Sequence, residues 1–173
     1  MISDGVILLR APEPADIDAL FRWENDRDGW RYAVVRAPMS RQALWEYVHN
    51  YNPDVLAAGE LRMVIVDAGS GESVGAVDLY DVDALNRRGG VGIVVDTQLR
   101  GRGYGCRAVN LVADYARMEL GLHQLWAVVG RDNAASRSMF EHCGFKIGGC
   151  MQSWIRMGES YMDAYFYQRL LVT

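Results

Sequence analysis

"QLRGRGYGCRA", residues 98–108, packs three glycines and three arginines into eleven positions, directly ahead of a helical pattern. Such a run supplies two things at once. Glycines let consecutive backbone N–H groups point into one concavity, and the helix that follows adds the partial positive charge of its N-terminus. Arg100, Arg102 and Arg107 can add charge-assisted hydrogen bonds to the same anion. Strand, glycine-rich loop, helix is an arrangement that holds phosphates. Spacing excludes two familiar versions of it. A Walker loop needs Lys and then Ser or Thr after its last glycine, whereas Gly105 is followed by Cys106 and Arg107. A dinucleotide fingerprint needs G-x-G-x-x-G near the start of a βαβ unit, but Gly101, Gly103 and Gly105 alternate, well past the middle of the chain. A surface turn with exposed arginines would share this composition; the strongly amphipathic helix that the glycines open argues against it.

The rest of the chain places this loop in a mixed α/β pattern. Just upstream, "RRGGVGIVVD" reads as a strand over 91–95, with glycines that invite a bulge or a close backbone approach. "LRMVIVDAGSGESVGAVDLYDV" reads as two strands joined at Gly69-Ser70-Gly71. The N-terminal part opens with a short strand over 6–9. Beyond Pro12 and Pro14, helical spacing starts at Ala15 and carries Ile17, Leu20 and Phe21. A second helix fits 40–50, with Ser40 as N-cap and Leu44, Tyr47 and Val48 on one face. Downstream, a helix over 103–120 has the stripe Tyr104, Ala108, Leu111, Tyr115 and Met118, and ends at Gly121. "LWAVV" (125–129) is a buried-type strand, 133–143 a short helix stopped by Gly144, and the remainder two long strands around 157–159. The order implies a single α/β domain over 1–173, without repeats or linkers.

Composition narrows the function classes. The 173 residues are half apolar and carry a net charge of −4, which disfavours a nucleic-acid binder and suits a cationic small molecule. Asp4, Glu13, Asp16 and Asp18 stand where a secretory signal would be basic and then apolar, and no apolar run approaches the ~20 residues of a membrane span. No membrane partner is expected. Cys106, Cys143 and Cys150 are odd in number and lack metal-type spacing; reduced thiols in a cytoplasmic protein are the expectation. His49, His123 and His142 are scattered, so no metal site is expected.

"RGRGYG" (100–105) matches the R/Q-x-x-G-x-G/A signature of the GNAT superfamily of N-acetyltransferases, and "NAASRSMFEHCGF" (133–145) resembles that superfamily's Asn-x-x-(Ala/Ser)…aromatic…Gly-Phe segment. The similarity spans most of the chain, from "LLRAPEPAD" (8–16) to "YMDAYFYQRL" (161–170). It is nearest to the branch that holds spermidine acetyltransferases and ribosomal-protein N-terminal acetyltransferases. The resemblance implies a central, mostly antiparallel sheet of about seven strands flanked by about four helices. It also implies acetyl-CoA as co-substrate. The pyrophosphate would sit on Arg100, Gly101, Arg102, Gly103, Tyr104, Gly105 and Cys106. The pantetheine arm would pair along Ile93, Val94 and Val95, where a bulge would free an N–H of Val94 or Val95 to polarise the thioester carbonyl. Asn133 would hydrogen-bond the cofactor arm, with Ser136 one helical turn on; Asn133 also suits a plain helix N-cap, and both roles can hold at once.

Acetyl transfer to an amine makes two protonic demands. The ammonium must lose a proton, and the departing thiolate is helped by gaining one. Within "VDLYD", Asp78 and Asp81 lie three apart on a strand and so face opposite ways. Asp78 matches an acidic position in similar spermidine acetyltransferases and is the candidate base; the alternative is a solvated charge like Asp83. Many relatives carry a tyrosine before the Gly-Phe pair, whose hydroxyl can reach the CoA sulfur. Here the matching residue is Phe140, which keeps the packing and loses the proton. Ser136, Ser138 and Cys143 are the nearest donors in sequence, and none is compelling.

The acceptor is not named by the sequence: a polyamine, another small amine or a protein N-terminus all fit. "WENDRDGWRYAVVRAP" (23–38) sets Glu24, Asp26 and Asp28 against Arg27, Arg31 and Arg36. Trp23, Trp30, Tyr32, Trp45 and Trp154 suit a groove, a core or the contact surface of a homo-oligomer. A non-catalytic acyl-CoA-binding or sensor domain of the same fold is the second functional reading, to which the missing tyrosine lends support.

Overall fold

A computed structural model describes residues 1–30, 32 and 37–171. Its strands are β1 (Ile2–Ser3), β2 (Ile7–Arg10), β3 (Leu61–Asp67), β4 (Ser73–Asp83), β5 (Arg88–Val95), β6 (Gln124–Gly130), β7 (Lys146–Met157) and β8 (Ser160–Leu170). They form one eight-stranded sheet in the order β1-β2-β3-β4-β5-β6-β8-β7. Every neighbouring pair is antiparallel except β5 and β6. The strand beyond the expected seven is β1, whose two residues pair with Leu8 and Leu9 and are too short to show a periodicity. The helices are α1 (Ile17–Glu24), α2 (Arg27–Trp30), α3 (Arg41–His49), α4 (Val55–Ala58), α5 (Tyr104–Met118) and α6 (Ala134–His142). Arg31 and Arg36, from the acceptor segment above, lie outside the described residues.

Strand alternation sorts side chains into two layers. Val77 and Leu79 of β4, Val91 of β5, and Leu125, Ala127 and Val129 of β6 share the main core with α5 and with Phe140 and Phe145. On the other face Ala76 packs with Leu20 and Trp23 of α1 and Leu44 and Val48 of α3. Continuing that face along β4 brings Asp78 and Tyr80 beyond the helices. Ser40 caps α3 as expected, its hydroxyl accepting from the Ala43 amide at 3.0 Å.

Two local expectations are corrected. The buried face of α5 is Ala108, Val109, Val112, Ala113 and Ala116; Ala108 alone of the expected stripe is fully buried, and Met118 is 66% exposed. Small side chains let this helix axis lie close to the sheet, so the contact centres on alanine and valine, and Tyr104, Leu111 and Tyr115 pack at its margin. The β4–β5 register also runs unbroken from Gly75 opposite Val95 to Tyr80 opposite Gly90, so no bulge lies at 93–95. The irregularity falls between Tyr80 and Asp83, where Asp81 has a φ of 48° and leaves the simple alternation that relates it to Asp78.

A buried carboxylate ties β2 to the first helix. Asp16 is 2% exposed and accepts from Arg10 Nη1 at 2.6 Å, Arg10 Nη2 at 2.9 Å, Ser73 Oγ at 2.9 Å and the Glu13 amide at 2.8 Å. Burial pushes its carboxyl up, but these donors outweigh burial and hold it below the ordinary aspartate range.

Candidate active site

β5 and β6 pair over only three residues, Arg88–Gly90 with Gln124–Trp126, and then part. Residues 91–95 stay on β4 and 127–130 stay on β8, so a cleft opens with one edge of β5 facing it. Gly90 stands at the fork. A Cβ there would lie 2.5 Å from the Tyr80 ring and 2.9 Å from Trp126, so only glycine lets the two rings close over the strand. Tyr80 meets Trp126 edge-on at 5.1 Å, and Trp126 stacks on Phe166 at 5.7 Å.

From the end of β5 the chain turns into the glycine loop. Gly101 and Gly103 have φ of 78° and 82°, the left-handed region that glycine adopts without strain. Gly103 is the N-cap of α5, and no side chain caps the helix; its first such bond runs from Arg107 N to Gly103 O at 3.2 Å. The amides of 104–106 therefore precede the helical ladder and face out of it, free for an anion. Nothing lies within 4 Å of a Cβ at Gly101 or Gly103, so the concavity is open. This loop fits a pyrophosphate.

The arginines divide. Arg100 is half-exposed and donates from Nε to the Val95 carbonyl at 3.2 Å, and Arg102 is exposed. Arg107 is corrected: Nη1 is held 2.7 Å from Asp4 Oδ2, which occupies the guanidinium elsewhere. The Ile7 amide, with Arg107 among the other donors, lowers the Asp4 carboxyl to about 2. Tyr104 offers only its amide to the cradle, because its hydroxyl donates to Asp67 Oδ2 at 2.7 Å and pins α5 to the β3–β4 turn. The Cys106 side chain turns inward to Cys143.

Asn133 is an N-cap, its Oδ1 accepting from the Ser136 amide at 3.2 Å. The side-chain NH2 is left for another partner, and Ser136 is half-buried beside it. The Phe140 ring is buried, edge-on to Phe145 at 5.0 Å and near-parallel to Tyr167 at 6.4 Å. Ser138 is exposed and faces His142, which leaves it an unsuitable donor for a buried thiolate.

Asp78 lies opposite Gly92 of β5 and opposite Arg62 of β3. Arg62 grips it with both arms, Nε to Oδ1 at 2.7 Å and Nη2 to Oδ2 at 2.9 Å. Its Nη1 also donates to Glu24 Oε1 at the end of α1. Burial would lower the Arg62 value, but Asp78 and Glu24 outweigh it and keep the guanidinium charged. Burial, helped by Asp81 and Asp78, pushes the Tyr80 hydroxyl up to about 12, so it stays protonated at neutral pH. A cavity of about 330 Å³ adjoins this cluster, lined by Glu46, Tyr47, Asn50, Tyr51, Glu60 and Arg62 among others.

Arg62, Tyr80, Trp126 and Phe166 escaped the sequence reading. A hairpin turning near Ser70 sets 62 against 78, so a register count was the available signal for Arg62. Of the aromatics that suit a groove, a core or a subunit contact, Trp23 joins the core, and Trp45 and Trp154 are exposed at 49% and 60%. Of that set Tyr32 borders the far end of β6, 3.1 Å from where a Cβ on Gly130 would lie.

A parallel strand pair that splays beside an uncapped, glycine-opened helix has the geometry to seat a phosphate-bearing cofactor. The comparisons with known proteins carry this further. Residues 7–146 match the acetyltransferase (GNAT) domain, and the chain belongs to that family. It is an acetyl-CoA-dependent N-acetyltransferase. Spermidine N(1)-acetyltransferase of Escherichia coli K12 is 24% identical over 164 residues, spanning 95% of this chain and 86% of that protein. Its namesake from Vibrio cholerae serotype O1 is 26% identical over 157 residues, 91% and 88% of the two chains. The crystal structure of spermidine N-acetyltransferase from Vibrio cholerae in complex with CoA and spermine has the same fold, with a TM-score of 0.85 at 24% identity over 97% of each chain. No helix among the described residues is long and apolar enough to cross a membrane.

Proposed function

We propose that the protein acetylates a primary amine of a polyamine, such as spermidine. The observation that carries this is the pair of acids on Arg62 and the acidic cavity beside it. Asp78 and Glu24 share a single arginine, and Glu46 and Glu60 line the adjoining cavity. Two carboxylates on one guanidinium, with two more in the cavity that Arg62 also lines, favour an acceptor with more than one positive charge. The relatives named for spermidine, and the structure solved with spermine, support the same class.

Acetyl-CoA, when bound, supplies an acetyl group activated as a thioester. The amides of 104–106, with Arg100 and Arg102, would hold its pyrophosphate. The edge of Ile93, Val94 and Val95 would line the arm. The Val95 N–H alternates with the Asp96 N–H that donates to Val74 O of β4, so it points into the cleft and would face the carbonyl. The side-chain NH2 of Asn133, and Ser136, complete the grip on the arm. Asp78 uses both oxygens on Arg62, yet a carboxylate has about four lone-pair sites, so it still accepts a proton from the amine or through water. Arg62 and Glu24 fix its orientation. Phe140 offers no proton, so a departing thiolate would take its proton from water.

The test is a pH–rate profile with spermidine. Asp78→Asn should lower kcat about 10- to 100-fold at neutral pH and change acetyl-CoA affinity less than about threefold. The deficit should hold at every pH from about 6 to 9. An unchanged profile would remove Asp78 from proton transfer.

A further inference from the structure

We propose that Cys106 and Cys143 are a modification site: a dithiol that peroxide converts to a reversible internal disulfide. The two residues are 37 apart in sequence and come from different elements, the first turn of α5 and the C-cap of α6. Their sulfurs lie 2.7 Å apart, so about 0.7 Å of further approach reaches the bonded S–S separation of about 2.0 Å.

The surroundings give the two thiols different parts. Cys106 is half-buried and the more accessible of the pair. The side-chain NH2 of Asn110 points at its sulfur from 3.6 Å, and the carbonyl of that same amide accepts from Arg169 Nη1 at 2.7 Å. Cys106 therefore has a polar donor, backed by a guanidinium, to stabilise negative charge as it attacks. Cys143 is buried, between the Phe140 and Phe145 segments, and burial followed by the contact with Cys106 pushes its thiol up. It stays protonated until a partner forms beside it.

The chemistry balances in two steps. Cys106 sulfur attacks one peroxide oxygen, the O–O bond breaks, an S–O bond forms, and water leaves; the sulfur is oxidised by two electrons and the peroxide reduced. Cys143 sulfur then attacks the resulting sulfenic acid. An S–S bond forms, the S–O bond breaks, and the hydroxyl leaves with the Cys143 proton as a second water. Thiol reductants reverse the product by exchange.

The third thiol, Cys150, is exposed on β7 and would confuse the count, so the test uses full-length Cys150→Ser protein. It is treated with a small excess of hydrogen peroxide, its remaining thiols are alkylated, and intact and peptide masses are read. The expected result is loss of both alkylatable thiols, a monomer lighter by two hydrogens, a linked Cys106–Cys143 peptide and full reversal by dithiothreitol. Closing a loop of this length should also raise Tm by about 5–10 °C in the oxidised form. A companion Cys143→Ser variant should instead trap a sulfenic acid on Cys106. Two unreacted thiols, oxidation of Cys106 beyond sulfenic acid with Cys143 still alkylatable, or a disulfide only between molecules would each overturn the proposal.

Discussion

Gly103→Glu should weaken acetyl-CoA binding at least ~100-fold, equivalent to about 2.7 kcal/mol or more. Gly103 is the uncapped N-cap of α5, with a φ of 82° and open space where a side chain would go. A glutamate there puts a carboxylate over the amides of 104–106, where it competes with a pyrophosphate and repels it. Its cost to the fold is smaller, about 1–2 kcal/mol for a non-glycine residue in the left-handed region, because nothing lies within 4 Å to clash. Calorimetric titration with acetyl-CoA, alongside a denaturation curve, separates the two effects. Gly103→Asn is the control, since asparagine tolerates this conformation and adds no charge. Wild-type affinity in the glutamate variant would mean that the loop is not the cradle.

The second large effect is on stability. Asp16→Ala should cost about 3–5 kcal/mol, because it strips a buried carboxylate from Arg10 and leaves the Glu13 amide and the Ser73 hydroxyl without their acceptor. The same residue predicts an acid dependence. The folded-state value of Asp16 lies below its unfolded value, so its contribution is complete above about pH 4 and fades as pH falls through the folded value. Wild type should thus lose stability on acidification below pH 4 more steeply than Asp16→Ala. Chemical unfolding at neutral and acidic pH measures both. A loss below about 0.5 kcal/mol at neutral pH, or parallel acid limbs, would contradict the role given to this carboxylate.

What was legible in the sequence follows from what each feature needs. The positive φ of Gly101 and Gly103 and a helix start without a capping side chain are local features, so "GRGYG" made them legible. Asn133 and Ser40 were readable as caps for the same reason. The partnership of Asp78 with Arg62 and Glu24 is not local: it joins two strands and a helix across 16 and 38 residues. The acidic count of 23–38 held Glu24 but not its partners Arg62 and Asp78, which come from β3 and β4. The buried face of α5 was misplaced because apolar bulk is a poor guide where alanines allow close packing. The expected bulge in β5 was an inference from glycine content, but Gly90 instead serves to seat Tyr80 and Trp126 at the fork. Phe140, expected at the cofactor site in place of a tyrosine, is buried against Phe145 and Tyr167.

The measurement that bears most directly on the account is thiol release from acetyl-CoA by the wild-type protein between pH 6 and 9, with spermidine set against amino acids, aminoglycosides and short peptides. Release with spermidine is expected, rising with pH as the amine deprotonates, with acetylated spermidine identified as the product. Release with peptides alone would contradict the polyamine assignment. Silence with every acceptor, in protein that still binds acetyl-CoA, would contradict catalysis itself and leave a binder of the cofactor.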